Sequence, residues 1–130
     1  MNGFIIHDKI TNFTRLEVWK KNHELVLNIY KATKKFPSDE LFGLVSQIRR
    51  SASSITANIA EGYGRRLKKD KNRFYQIACG SNTETQNHLI LAKDLEYLSE
   101  EDFLLLKGLI WDGYKLIIGL IRSTERNLVY

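Results

Sequence analysis

Val45-Ser46-Gln47-Ile48-Arg49-Arg50-Ser51-Ala52-Ser53-Ser54-Ile55-Thr56-Ala57-Asn58-Ile59-Ala60-Glu61-Gly62-Tyr63-Gly64 is the stretch that decides the fold class of this chain. Val45, Ile48, Ala52, Ile55, Ile59 and Gly62 recur at steps of three and four, which is the period of one face of an α-helix. Gly62 and Gly64 read as its stop, since glycine takes positive φ without strain. A dense basic run follows at once: Arg65, Arg66, Lys68, Lys69, Lys71 and Arg73, with only Asp70 against it. A helix stop followed by concentrated positive charge points to binding rather than to catalysis.

The same period extends in both directions. Upstream, Leu16, Trp19, His23, Val26, Tyr30 and Thr33 predict a helix from about 15 to 36, with Thr14 and Glu17 in the form of a capping box. Phe36-Pro37 ends it, because the residue before proline is pushed out of the helical region. Ser38 is the expected cap of the next helix, with Asp39 and Glu40 in its first turn. Downstream, Phe74, Ala78, Ser81, Thr85, His88, Ala92 and Leu95 predict a helix over 68–98. Ser99 with Asp102 opens the last one, whose face is Phe103, Leu106, Ile110, Gly113, Ile117 and Leu120. The expected fold is therefore all-α, an antiparallel up-down-up-down four-helix bundle over residues 14–126. Residues 1–13 read as an arm or tail, able to pack through Phe4, Ile5 and Ile6, and 127–130 as a C-terminal tail.

At 130 residues the chain fits one domain with a real core. A composition of 43% hydrophobic and 27% charged residues is that of a globular protein. The net charge of +5 permits an anionic partner. Cys79 has no cysteine to pair with and reads as a reduced thiol, so a cytoplasmic protein is expected. No apolar run approaches the length of a membrane span. His7, His23 and His88 are scattered, and no His-Glu-x-x-His, Cys-x-x-Cys or phosphate-loop pattern occurs. The expectation is a non-enzyme without metal or cofactor.

Two features exceed the needs of one bundle. Ser51, Ala52, Ser53, Ser54, Ala57 and Ala60 form a small-residue surface on the second helix, and Leu105, Leu109, Leu116 and Ile121 widen the apolar face of the fourth. Both suggest contact with another subunit, the alternative being broad packing within the chain.

The basic run supplies the candidate site. Arg65, Arg66, Lys68, Lys69, Lys71 and Arg73 suit phosphate-backbone contact, and Tyr63 and Tyr75 suit stacking on unpaired bases. A solvated charged loop is the other reading. Lys20, Lys21, Lys31, Lys34 and Lys35 are spread around the first helix and read as a solvated face. Arg49, Asn58, Glu61 and Glu84 read as structural polar groups, with Glu61 paired to Arg49 or Arg65 and Glu84 bridging helices.

Several spaced motifs resemble a known bacterial family. They are Leu16-Glu17-Val18-Trp19-Lys20, Phe42-Gly43-Leu44-Val45-Ser46-Gln47-Ile48-Arg49-Arg50-Ser51-Ala52, Ser54-Ile55-Thr56-Ala57-Asn58-Ile59-Ala60-Glu61-Gly62, and Leu91-Ala92-Lys93-Asp94-Leu95 with Leu98-Ser99. Together they resemble the four-helix-bundle proteins encoded in intervening sequences of bacterial large-subunit ribosomal RNA genes. The resemblance spans about residues 13 to 125. It implies a bundle that assembles as a homopentamer, and a relation to the accessory variability determinant of diversity-generating retroelements. Leu67 departs from the family pattern, where a serine cap is expected, as do Asn82, Asn87 and His88. The resulting expectation is a self-assembling basic scaffold that binds RNA. The alternatives are a module for a polypeptide partner and an accessory subunit of a reverse-transcriptase system.

Overall fold

The computed structural model describes residues 12–126, so the expectations for residues 1–11 (including Phe4, Ile5 and Ile6) and for 127–130 lie outside it. Within that span four α-helices run in sequence: α1 (Glu17–Thr33), α2 (Leu44–Tyr63), α3 (Lys68–Asp94) and α4 (Glu100–Arg126). Single 3-10 turns, Asn12–Arg15 and Ser38–Glu40, precede α1 and α2. Each helix packs on the next and α4 returns to α1, with no diagonal contact, so the four stand as a square of antiparallel neighbours. The α1/α2 side is therefore opposite the α3/α4 side. Among the described residues no helix is long and apolar enough to cross a membrane.

The core is drawn from all four helices. Leu25, Ile29, Ile48, Ile55, Ile59, Leu106 and Ile117 are its largest fully buried aliphatic residues. The seam expected for α2 is the buried one, and that of α4 is buried apart from a half-buried Leu120. The α1 seam is not. Val18, Asn22, Leu25, Ile29 and Ala32 face inward, while Trp19 and His23 stack together on the flank with ring centroids 4.4 Å apart. Leu25, Leu27 and Ile29 make α1 apolar on more than one side, so two registers one residue apart satisfy the period, and packing selects between them. On α3 the buried set is Tyr75, Ala78, Ser81, Asn82, Thr85, Leu89 and Ala92, and Phe74, His88 and Leu95 lie outside it.

Helix termini differ from the sequence signals in instructive ways. Leu16, not Thr14, occupies the position before α1, and no side chain caps it. Ser38 opens a 3-10 turn rather than α2, whose first amide is capped from upstream: Leu44 N–H donates to Glu40 Oε1 at 3.1 Å. Glu40 Oε2 also accepts a bond from Tyr97 OH at 2.9 Å, tying the α1–α2 turn to the α3–α4 turn. Ser99 caps α4 as expected, its Oγ accepting from Asp102 N–H at 3.0 Å. Helix α3 ends at Asp94, short of the expected Leu98, in a Schellman motif: Tyr97 N–H bonds Ala92 O and Glu96 N–H bonds Lys93 O, both at 2.9 Å. Glu96 takes the left-handed position at φ 65°, where glycine is usual.

Part of the small-residue surface of α2 faces α3 within the chain. Ser51 and Ala52 are fully buried, Thr85 Oγ1 donates to Ser51 Oγ at 2.8 Å, and the Ser54 and Ser81 hydroxyls bond at 2.9 Å. Small side chains bring α2 and α3 into the most extensive packing of the bundle. Of the rest of the stripe, Ala57 is exposed and Ser53 and Ala60 are half-buried. The widened face of α4 divides: Leu109 and Ile121 are core residues, Leu116 packs against the core, and Leu104, Leu105 and Trp111 remain exposed.

Candidate nucleic-acid interface

The basic run lies at the end of the bundle where α2 passes into α3. Helix α2 stops at Tyr63, and Gly64 follows at φ −79°, so the stop does not use positive φ. No glycine among the described residues has positive φ. Gly62 is required for a different reason: a Cβ there would stand 2.6 Å from Tyr75 Cε1 and 3.0 Å from Lys71 O. The two helices approach at a point where only hydrogen fits.

That approach decides what Tyr75 and Lys71 do. Tyr75 is 1% exposed, its ring packed over Gly62, which leaves no face on which a base could stack. Burial, with Tyr63 a lesser contributor, pushes its phenol up to about 12. Lys71 Nζ donates to Tyr63 O at 2.8 Å and sits 5.2 Å from the Tyr63 ring centroid. It thereby satisfies a carbonyl that the end of α2 leaves open, and desolvation lowers its pKa. Tyr63 is half-buried, its hydroxyl accepting a bond from Asn12 Nδ2 at 3.2 Å. Asn12 and Phe13 therefore belong with the bundle rather than with a tail, Phe13 packing edge-on against Trp19 at 5.6 Å. Lys68 is half-buried.

The remaining cations face outward. The guanidinium carbons of Arg65 and Arg73 each lie 4.7 Å from the centroid of the Phe74 ring. Arg65 also pairs with Glu61 at 3.1 Å, an exposed bridge one helical turn apart. Arg66 and Lys69 are exposed and form no ion pair with the described residues. The run thus separates into an outward set (Arg65, Arg66, Lys69 and Arg73, of which Arg65 and Arg73 flank Phe74) and an inward set (Lys71 and Tyr75). Phe74, read from periodicity as a seam residue, is the half-buried platform under two arginines.

The structural polar residues separate similarly. Arg49 does not meet Glu61. Its Nε donates to Thr33 Oγ1 at 3.0 Å and its Nη2 to Tyr30 O at 3.3 Å, closing the end of α1, with the guanidinium 4.5 Å from the Tyr30 centroid. Asn58 Nδ2 donates to Ser54 O at 2.8 Å and to Ser54 Oγ at 3.0 Å, extending the α2–α3 hydroxyl network. Glu84 bridges the same helices by accepting Arg50 Nη2 and contacting His88 Nε2 at 3.2 Å. Two asparagines are fully buried, Asn82, which departs from the family pattern, and Asn22, which the sequence reading did not single out. Asn22 Nδ2 reaches Gly113 O at 3.4 Å, and Asn82 Nδ2 reaches Ile110 O at 3.1 Å, so α1 and α3 both bond to the backbone of α4.

A comparison with functionally curated proteins finds no match. Among solved structures, the chain resembles a protein of unknown function from the S23 ribosomal protein family of Bacteroides thetaiotaomicron VPI-5482. The two are 28% identical with a TM-score of 0.75, over 81% of this chain and 95% of that one. The sequence model described as 23S rRNA-intervening sequence protein matches residues 14–119, which takes in all of α1, α2 and α3 and most of α4. On that match and that shared bundle, the chain belongs to the 23S rRNA-intervening sequence protein family.

Proposed function

We propose that this protein is a non-enzymatic basic scaffold that assembles with copies of itself, as a homopentamer, and binds RNA at the α2–α3 end of each bundle. The observation that carries the reading is the outward cationic set. Arg66 and Lys69 are exposed without ion pairs among the described residues, and two guanidinium groups flank one aromatic ring. Such an edge contacts phosphates without regard to base sequence, and repetition around an assembly multiplies a net charge of +5 per chain.

The test is titration of a structured RNA at a series of salt concentrations. Affinity of the wild-type protein should fall steeply with salt. Changing Arg65, Arg66, Lys69 and Arg73 together to serine should flatten the log–log slope by roughly 0.7 to 0.9 for each phosphate that is no longer neutralised. Binding that ignores salt, or survives the fourfold change, removes the RNA reading. A polypeptide partner is the second reading, favoured by the exposed Leu104 and Trp111 on α4. Under it, partner capture persists in the fourfold variant.

A further inference from the structure

Phe42 is 92% exposed, the most exposed of the large apolar residues among those described. It does not sit on a slack loop. Gly43 N–H bonds Glu40 O at 3.0 Å, Leu41 N–H bonds Ser38 O at 3.2 Å, and the Glu40 carboxylate is held by Leu44 N–H and Tyr97 OH. A phenyl ring presented on a braced turn loses little freedom when it is captured, which favours a role as an anchor.

The opposite side of the bundle carries a matching recess. Between α3 and α4 lies a groove of about 170 Å³, lined by Leu89, Ile90, Phe103 and Ile110 with Gln86 and Lys107 at its edge. A cavity of about 150 Å³ lined by Leu, Ile and Phe suffices to hold benzene, and the Phe42 side chain ends in such a ring. Phe42 lies just before the start of α2. The groove is formed by the last turns of α3 and the first turns of α4, at the same end of the antiparallel bundle. Knob and groove thus lie on opposite sides near the same end of the bundle. Two parallel copies placed side by side bring these regions towards each other. Charge agrees: Asp39, exposed three residues before Phe42, and Lys107, exposed at the groove, form no ion pair with the described residues of their own chain.

We propose that Phe42 of one copy inserts into the α3–α4 groove of the next, with Asp39 meeting Lys107. This rests on the self-assembly reading above and names its contact. The contact is head-to-tail, so each added copy leaves one knob and one groove unfilled until the assembly closes.

The test uses two surface variants, Phe42→Glu and Ile90→Glu. Both side chains are solvated in the single chain (Ile90 is 52% exposed), so circular dichroism should show an unchanged fold. Light-scattering mass is then measured for the wild type, for each variant, and for an equal mixture of the two. The wild type should form a multiple of the 15.1 kDa chain. Each variant alone should be a single chain, weakened at least about 30-fold in association as an anchor residue is. The mixture should form a two-chain species, because the intact groove of one variant accepts the intact knob of the other. A single-chain wild type overturns both self-assembly and this contact. Assembled variants overturn the contact and leave self-assembly standing. Single-chain variants whose mixture stays single-chain show that this knob and this groove do not meet.

Discussion

Asn22 of α1 lies directly against the backbone of α4 at Gly113. Its Nδ2 reaches Gly113 O at 3.4 Å, and a Cβ at position 113 would overlap its Oδ1 and stand 2.9 Å from its Cγ. Asn22 is fully buried, and its Oδ1 has no hydrogen-bond partner among the described residues. Gly113→Ala should therefore destabilise the bundle by about 1–3 kcal/mol through overpacking. The same change in an Asn22→Ala background should cost clearly less, because the atoms that clash are gone. Urea denaturation of the four proteins of this cycle measures the coupling, and additive losses would refute the clash.

Glu96 occupies the left-handed position that closes α3. A side chain there costs roughly 1–2 kcal/mol, and glycine returns part of that through greater unfolded-state freedom. Glu96→Gly should raise Tm by roughly 2–4 °C, whereas Glu96→Ala should not. Parallel thermal melts distinguish relief of strain from loss of a charge.

Tyr75 links the core to pH. Its phenol is raised from an ordinary value of 10.0 to about 12 in the fold, chiefly by burial. The neutral form thus favours the native state, a contribution that is full below the ordinary value and lost as pH rises from about 10 towards 12. The wild-type protein should lose ellipticity across that window together with a rise in phenolate absorbance, and Tyr75→Phe should lessen the pH dependence.

Lys71 and Arg66 belong to the same basic run and should behave differently. Lys71→Met removes the bond to Tyr63 O and should lower stability by about 1 kcal/mol. Arg66→Ser, at an exposed position, should leave stability within about 0.5 kcal/mol and weaken RNA binding instead. Thermal melts alongside RNA titration separate the two effects, and equal stability losses would contradict the division of the run.

The α2 seam, the Ser99 cap and the four-helix arrangement were all legible in the chain, because helical period and local capping depend on neighbours three or four residues apart. The outward cations were legible as composition, but their division was not. Whether Lys71 points at solvent or at the end of α2 depends on Gly62 allowing Tyr75 inward, which is a relation between two helices. The register of α1 was ambiguous for the same kind of reason: Trp19 and Asn22 lie on faces of comparable local merit, and Gly113, 91 residues away from Asn22, chooses between them.

By itself the sequence determined the all-α class, the order of the helices and the place of the positive charge, since each follows from spacing along one strand of chain. Only the tertiary structure decided which small residues pack inward, which basic side chains face outward, and that Phe42 and the α3–α4 groove stand on opposite sides at one end. The physical reason is that burial is settled between elements. A serine on α2 is a contact surface or a solvated one according to what α3 places against it, as Thr85 and Ser81 do for Ser51 and Ser54.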